Sequence, residues 1–184
     1  AAGSALYLRC GPEIGVASTK TFTASMAALY LLACRIGMAR GVLKGAALEH
    51  ALESLLSTPS LVDRMLQRSD LYEAIAQRYH DSQNLLYLGR GVQYPIALEG
   101  ALKCKEISYI HAEGYPAGEM KHGPIALIDR HTPTVAIALR DELYTKMSSN
   151  IQQIQAREGK VVAIGSEGDT ELEQLAEFFV PVPN

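Results

Sequence analysis

Glu99, Lys103 and Glu106 stand at spacings of four and three, so a helix over about 95–108 places all three on one face. A carboxylate beside an ammonium suits acid/base work: the carboxylate takes and returns a proton, and the ammonium steadies the negative charge that develops. His122 follows, immediately before Gly123-Pro124, where the proline suits the first turn of a new helix and histidine is a residue type used for proton transfer. The same residues fit plainer roles. Glu99 to Lys103 is the favourable orientation of a surface ion pair, and a histidine next to Gly-Pro serves equally as a turn or capping residue. Spacing alone leaves both readings open.

The elements that must hold these groups are legible from Asn84 onward, where short apolar runs alternate with helical patterns. Strands are expected at 85–88, 134–139, 161–164 and 178–182, with helices around Glu99, at about 141–157 and at 171–177. Such alternation argues for an α/β fold, a doubly wound parallel sheet with helices on both faces. Ligands in such sheets sit beyond the carboxyl ends of the strands, where Gly89-Arg90-Gly91 falls, although a lone Gly-x-Gly is as often a tight turn. Gly114, Pro116 and Gly118 read as turn signals. His111 lies in an apolar, strand-like stretch and reads as a core or interface residue, whereas His50, His80 and His131 read as solvated.

Toward the N-terminus, 5–10 reads as a short strand and 11–15 as a loop, and Ser18-Thr19 could cap the helix that follows. The uncharged run 21–34 is too short to cross a bilayer. Phe22, Met26, Leu29, Ala33 and Ile36 recur at helical spacing, and Tyr30, Leu31 and Leu32 make the other side apolar too. A helix apolar all round calls for cover from another module or a partner subunit. From 45 to 79 the pattern is of connecting helices, interrupted near Thr58-Pro59.

Composition bounds the function more than it defines it. The 184 residues are 48% hydrophobic and 20% charged, an ordinary globular balance. A formal net charge of -3 and a pI near 6.0 offer no basic footprint for nucleic acid and no polybasic patch for a membrane. Cys10, Cys34 and Cys104 are widely spaced, which suits reduced thiols better than a disulfide framework or a metal site, and Cys104 reads as a small buried residue. No metal or other cofactor is implied, and no secretory signal is visible.

Five strings carry a resemblance: Glu13-Ile-Gly-Val-Ala-Ser-Thr-Lys20, Leu88-Gly-Arg-Gly91, Tyr94-Pro-Ile-Ala-Leu-Glu-Gly-Ala-Leu-Lys103, Lys105-Glu-Ile-Ser-Tyr-Ile-His-Ala-Glu113 and Lys121-His-Gly-Pro124. In this order they resemble the isomerase part of the glutamine:fructose-6-phosphate aminotransferase family, whose members are also called glucosamine-6-phosphate synthases. The resemblance implies a flavodoxin-like sugar-isomerase (SIS) module that binds a phosphosugar. It implies 1–45 as the C-terminal end of a first SIS module, 46–80 as connecting helices and 81–184 as a second SIS module without its C-terminal tail. It further implies a glutaminase domain elsewhere in the same full-length chain, a homodimer and a cytoplasmic location.

Residue by residue, Glu106 matches the base that moves a proton between C1 and C2, and Lys103 the group that stabilises the enediol or enolamine. His122 matches the histidine that assists sugar-ring opening and is supplied across the dimer interface in the family. Val16 and Ser18 match a sugar-contacting loop, Ser18 being equally readable as a helix cap. Lys20, Arg90, Glu113 and Lys121 match the strings without an assigned role. The family's serine- and threonine-rich phosphate loop and tail lysine have no counterpart here, so the chain alone is expected to have little activity. Two alternatives stand beside this reading: a noncatalytic phosphosugar-binding regulatory module, and an SIS deglycase or deaminase acting on amino sugars.

Overall fold

The computed structural model describes Gly3 and residues 5–183, and the chain divides into two compact units, Ala1–Arg64 and Met65–Asn184. In the first, α1 (Thr19–Ala39) follows Ser18, whose φ of 53° is left-handed and whose side chain makes no capping bond to a backbone amide. Glu13 caps the helix from a distance instead: its carboxylate accepts the Thr21 amide at 3.0 Å and the Thr21 hydroxyl at 2.9 Å. The Thr21 amide is the main cause that holds the Glu13 carboxyl below its usual range. Residues 5–10 form no strand, contrary to expectation, because no described segment pairs with their backbone.

The α1 helix has 21 residues, longer than the uncharged run, because good helix formers continue it on the C-terminal side. By length and composition it is long and apolar enough to cross a membrane. Cys34 is its buried residue, while Leu29 and Ile36 are at least half exposed, so its own unit does not supply the cover that the sequence calls for. The α2 helix (Ala46–Leu66) runs through Pro59 without the expected break. Proline withholds the amide that would bond the Leu55 carbonyl, and around it the Ser57 and Thr58 hydroxyls donate to the Ser54 carbonyl at 2.9 and 3.0 Å and that of Ser60 to the Ser57 carbonyl at 2.7 Å.

The second unit contains α3 (Ser69–Tyr79), β1 (Asn84–Gly89), α4 (Gln93–Ser108), β2 (His111–Pro116), 3-10 turns at Ala117–His122 and Pro124–Leu127, β3 (Thr134–Ala138), α5 (Tyr144–Gln155), β4 (Val161–Ser166), α6 (Thr170–Leu175) and β5 (Phe178–Val182). Every strand pairing is parallel and the order is β2-β1-β3-β4-β5. This is the flavodoxin-like doubly wound order. Strand alternation sends Leu88, Ala136 and Ala163 into one core with Met120, Met147 and Ile151, and Leu85, Val135 and Val162 into another with Tyr79 and Ala101. The sheet is therefore packed on both faces.

Gly114 and Pro116 lie within β2 and not in a turn. A Cβ at Gly114 would come within 2.9 Å of the Leu98 Cα, so glycine here lets α4 cross close over the strand. Pro116 is tolerated because β2 is an edge strand, and β5 at the opposite edge likewise contains Pro181.

Candidate functional site

The α4 helix lies close to the sheet because its inner face is small. Ala97 and Ala101 are buried, and a Cβ at Gly100 would stand 3.0 Å from the Tyr87 ring. Another face of the same helix carries Glu99, Lys103 and Glu106, whose side chains are 24%, 21% and 28% exposed. The Lys103 Nζ donates to Glu106 Oε2 at 2.7 Å and lies 3.4 Å from Glu99 Oε1. The hydrogen bond to Glu106, supported by Glu99 and opposed by burial, raises the Lys103 pKa above its usual value. The ammonium is thus a fixed cation at neutral pH. Glu106 has no other hydrogen-bond donor among the described residues, which leaves its second oxygen open to a proton. Exposed Ile96, Leu102 and Ile107 on the same helix would exclude water from a ligand pressed against it.

The structure thus brings Lys103 and Glu106 together. His122 ends the first 3-10 turn, exposed, and makes no hydrogen bond or ion pair with either of them among the described residues. Gly123 after it has a φ of 141°, and Pro124 opens the next turn, as the sequence leads one to expect. Val16 and Ser18 belong to the first unit. Val16 is 84% exposed, and the Ser18 hydroxyl bonds the Thr21 hydroxyl, so the capping role open to Ser18 is taken by Glu13.

At the carboxyl end of β1, glycine is required where a Cβ at Gly89 would meet the Gln93 carbonyl oxygen at 2.4 Å. Gly91 has a φ of 52°, and Leu143 fills the space beside it. The crevice bounded by Arg90, Gln93, Leu139, Leu143 and Met147 has a volume of only about 10 Å³. It cannot admit a sugar phosphate, since ligand pockets run to hundreds of cubic ångströms. His111 is not a core residue: its side chain is 62% exposed on β2, 3.0 Å from Asn84 Oδ1 and 3.4 Å from Glu113 Oε1.

One carboxylate centre escaped the sequence reading. Asp169, 1% exposed, accepts from Arg140 Nη2 at 2.8 Å, Tyr144 Oη at 2.9 Å and the Leu172 amide at 3.1 Å. Burial pushes this carboxyl up, but the Leu172 amide, the Tyr144 hydroxyl and the Arg140 guanidinium together hold it below its ordinary value. Its signal was present: an aspartate after glycine and before a short helix is a cap.

A parallel flavodoxin-like sheet with a Lys–Glu pair on the first crossover helix defines a class, and comparison with known proteins agrees: the SIS domain family matches residues 78–183, and the chain belongs to that family. Over 178 residues it is 53% identical to the glutamine--fructose-6-phosphate aminotransferase (isomerizing) of Thermus thermophilus, a match that covers 97% of this chain and 30% of the relative. The C-terminal domain of glucosamine-fructose-6-phosphate aminotransferase from Francisella tularensis superposes with a TM-score of 0.86 at 40% identity, over 96% of this chain and 49% of that one. Glucosamine-6-phosphate deaminase from Thermotoga maritima matches with a TM-score of 0.64 at 23% identity, covering 94% and 47%, and so shares the fold. The chain spans less than a third of the length of the curated relatives it matches.

Proposed function

We propose that this chain is the part of a glutamine:fructose-6-phosphate aminotransferase that carries ketose–aldose isomerisation, within an enzyme that converts fructose 6-phosphate and glutamine-derived ammonia to glucosamine 6-phosphate. The observation that carries this reading is the 2.7 Å contact of Lys103 with Glu106 on one face of α4. Glu106 removes the C1 proton of the open-chain ketose, and the electron pair forms the C1–C2 double bond of an enediol. The same carboxyl returns the proton to C2, while the O1 hydroxyl proton passes to the C2 oxygen and C1 becomes the aldehyde carbon. Lys103 stabilises the oxygen that gains negative charge, and a water-poor surface strengthens that effect.

His122 opens the cyclic sugar from the partner subunit of a homodimer, and Val16 and Ser18 contact the sugar. Residues 1–45 are the end of a first SIS module that covers the apolar α1, 46–80 connect, and 81–184 are the second module. A glutaminase domain of the same full-length chain supplies ammonia. The enzyme is cytoplasmic and engages neither nucleic acid nor membrane.

The test is fructose 6-phosphate to glucose 6-phosphate isomerisation, without glutamine, by the full-length enzyme carrying Glu106→Gln. Loss of turnover with sugar phosphate still bound is expected. Unchanged turnover would leave Glu106 as a helix ion-pair residue.

A further inference from the structure

Arg90 and Lys121 have no part in the chemistry above, yet the structure brings them to one place. Together with Gly118, Thr145, Lys146, Ser149, Asn150 and Gln153 they line a depression of about 410 Å³ between α5 and the first 3-10 turn. Its lining holds three cations and no carboxylate, on a chain whose net charge is -3. Among the described residues, no ion pair neutralises Arg90, Lys121 or Lys146. The other polar depressions differ. The one at the opposite end of β4 sets Arg130 3.1 Å from Glu158 and Lys160 3.7 Å from Glu177, and the one beside β1 mixes Arg78 and Arg130 with Asp81 and Asp129.

Arg90 is also held in place. Its Nη1 donates at 2.8 Å to Oδ1 of Asn150, which is 6% exposed, and Gly118 leaves room for the other nitrogen, which would lie 3.3 Å from a Cβ there. A guanidinium anchored by one nitrogen presents the rest of its fork to an incoming oxyanion. Two lysines add point charge, and the Thr145 and Ser149 hydroxyls add neutral donors.

We propose that this depression binds a phosphate group, an anion site separate from the Lys103–Glu106 centre. Arg90 precedes α4 by three residues while Lys103 and Glu106 stand near its other end, so the two places lie on the order of 15–20 Å apart along the helix. The volume leaves room for a small organic moiety on the phosphate.

The site is tested by titrating the protein with inorganic phosphate, and separately with glycerol 3-phosphate, at constant ionic strength. Backbone NMR shifts around Arg90 and Lys146 are followed in the wild type, Lys121→Met, Lys146→Met and a control Lys44→Met. Saturable binding that weakens about tenfold in each of the two site variants and not in the control is expected, since one charge-assisted hydrogen bond has that magnitude. Tighter binding of the monoester identifies a phosphorylated metabolite, and equal binding identifies free phosphate. Non-saturating shifts with both probes, or affinities unchanged in both site variants, overturn the proposal. Both lysines are exposed, so their loss leaves the fold intact.

Discussion

Two carboxylates of the second unit, Glu106 and Asp169, each face a basic side chain, and they differ in how far the remaining oxygen can be reached. Asp169 is buried and holds three donors, one of them the amide that starts α6. All three bond Oδ1, and Oδ2 is buried without a partner, so burial and not a lack of acceptor room keeps a substrate proton away. Glu106 is partly exposed and accepts from Lys103 alone among the described residues, while that lysine is shared with Glu99. Each carboxylate accepts on one oxygen only, but the second oxygen of Asp169 is buried while Glu106 is partly exposed, so a substrate can reach one and not the other. Ion pairing by itself does not separate the two.

The comparison breaks most sharply at Glu106. In the full-length enzyme Glu106→Gln is expected to slow isomerisation by about a hundred- to ten-thousandfold, the range of general acid/base help, with the unfolding midpoint little changed. The converse holds for Asp169→Ala, which should cost about 2–4 kcal/mol in denaturant unfolding through the lost cap and buried hydrogen bonds. If Asp169→Ala left stability intact, the contrast would fail from the structural side.

Acid sharpens the same point. Because the folded state holds the Asp169 carboxyl below its ordinary value, its contribution is fully present above the unfolded carboxyl pKa of about 3.9 and is lost as pH falls through the lower folded value. Acid unfolding of Asp169→Asn should therefore depend less steeply on pH below about 4 than that of the wild type. A parallel pair of curves would assign the acid sensitivity to other carboxylates. Gly114→Ala tests the support of the site: a methyl 2.9 Å from Leu98 pushes α4 outward, for about 1–3 kcal/mol of stability and a displaced Lys103–Glu106 pair. The smallest effect is expected from Glu99→Gln, which leaves Lys103 its shorter bond. Its kcat should stay within about threefold of wild type if Glu99 is only a helix partner.

Much of this arrangement was legible because periodicity reports burial. The four apolar strands and the alternating helices fell near their observed places, and the spacing of Lys103 and Glu106 was enough to put them in contact. What failed was punctuation. Gly114 and Pro116 read as turn residues, although one answers a close helix crossing and the other the freedom of an edge. Pro59 reads as a helix stop, yet α2 continues through it. The Gly-Arg-Gly turn promised a ligand crevice, but Leu143 and Met147, more than 50 residues later, fill it. Asp169 was missed because its partners Arg140 and Tyr144 come from another loop and helix. Contacts distant in sequence do not show in local patterns.

The two prolines at the margins of the sheet carry a consequence for how this protein behaves when crowded. An open parallel sheet has two sides on which a further strand could dock, and each such docking would expose a new side for the next. Pro116 and Pro181 each remove one amide from those outer rows. A foreign strand would meet a gap in the ladder on either side, and fibre growth by edge-to-edge stacking is checked at both ends of the sheet.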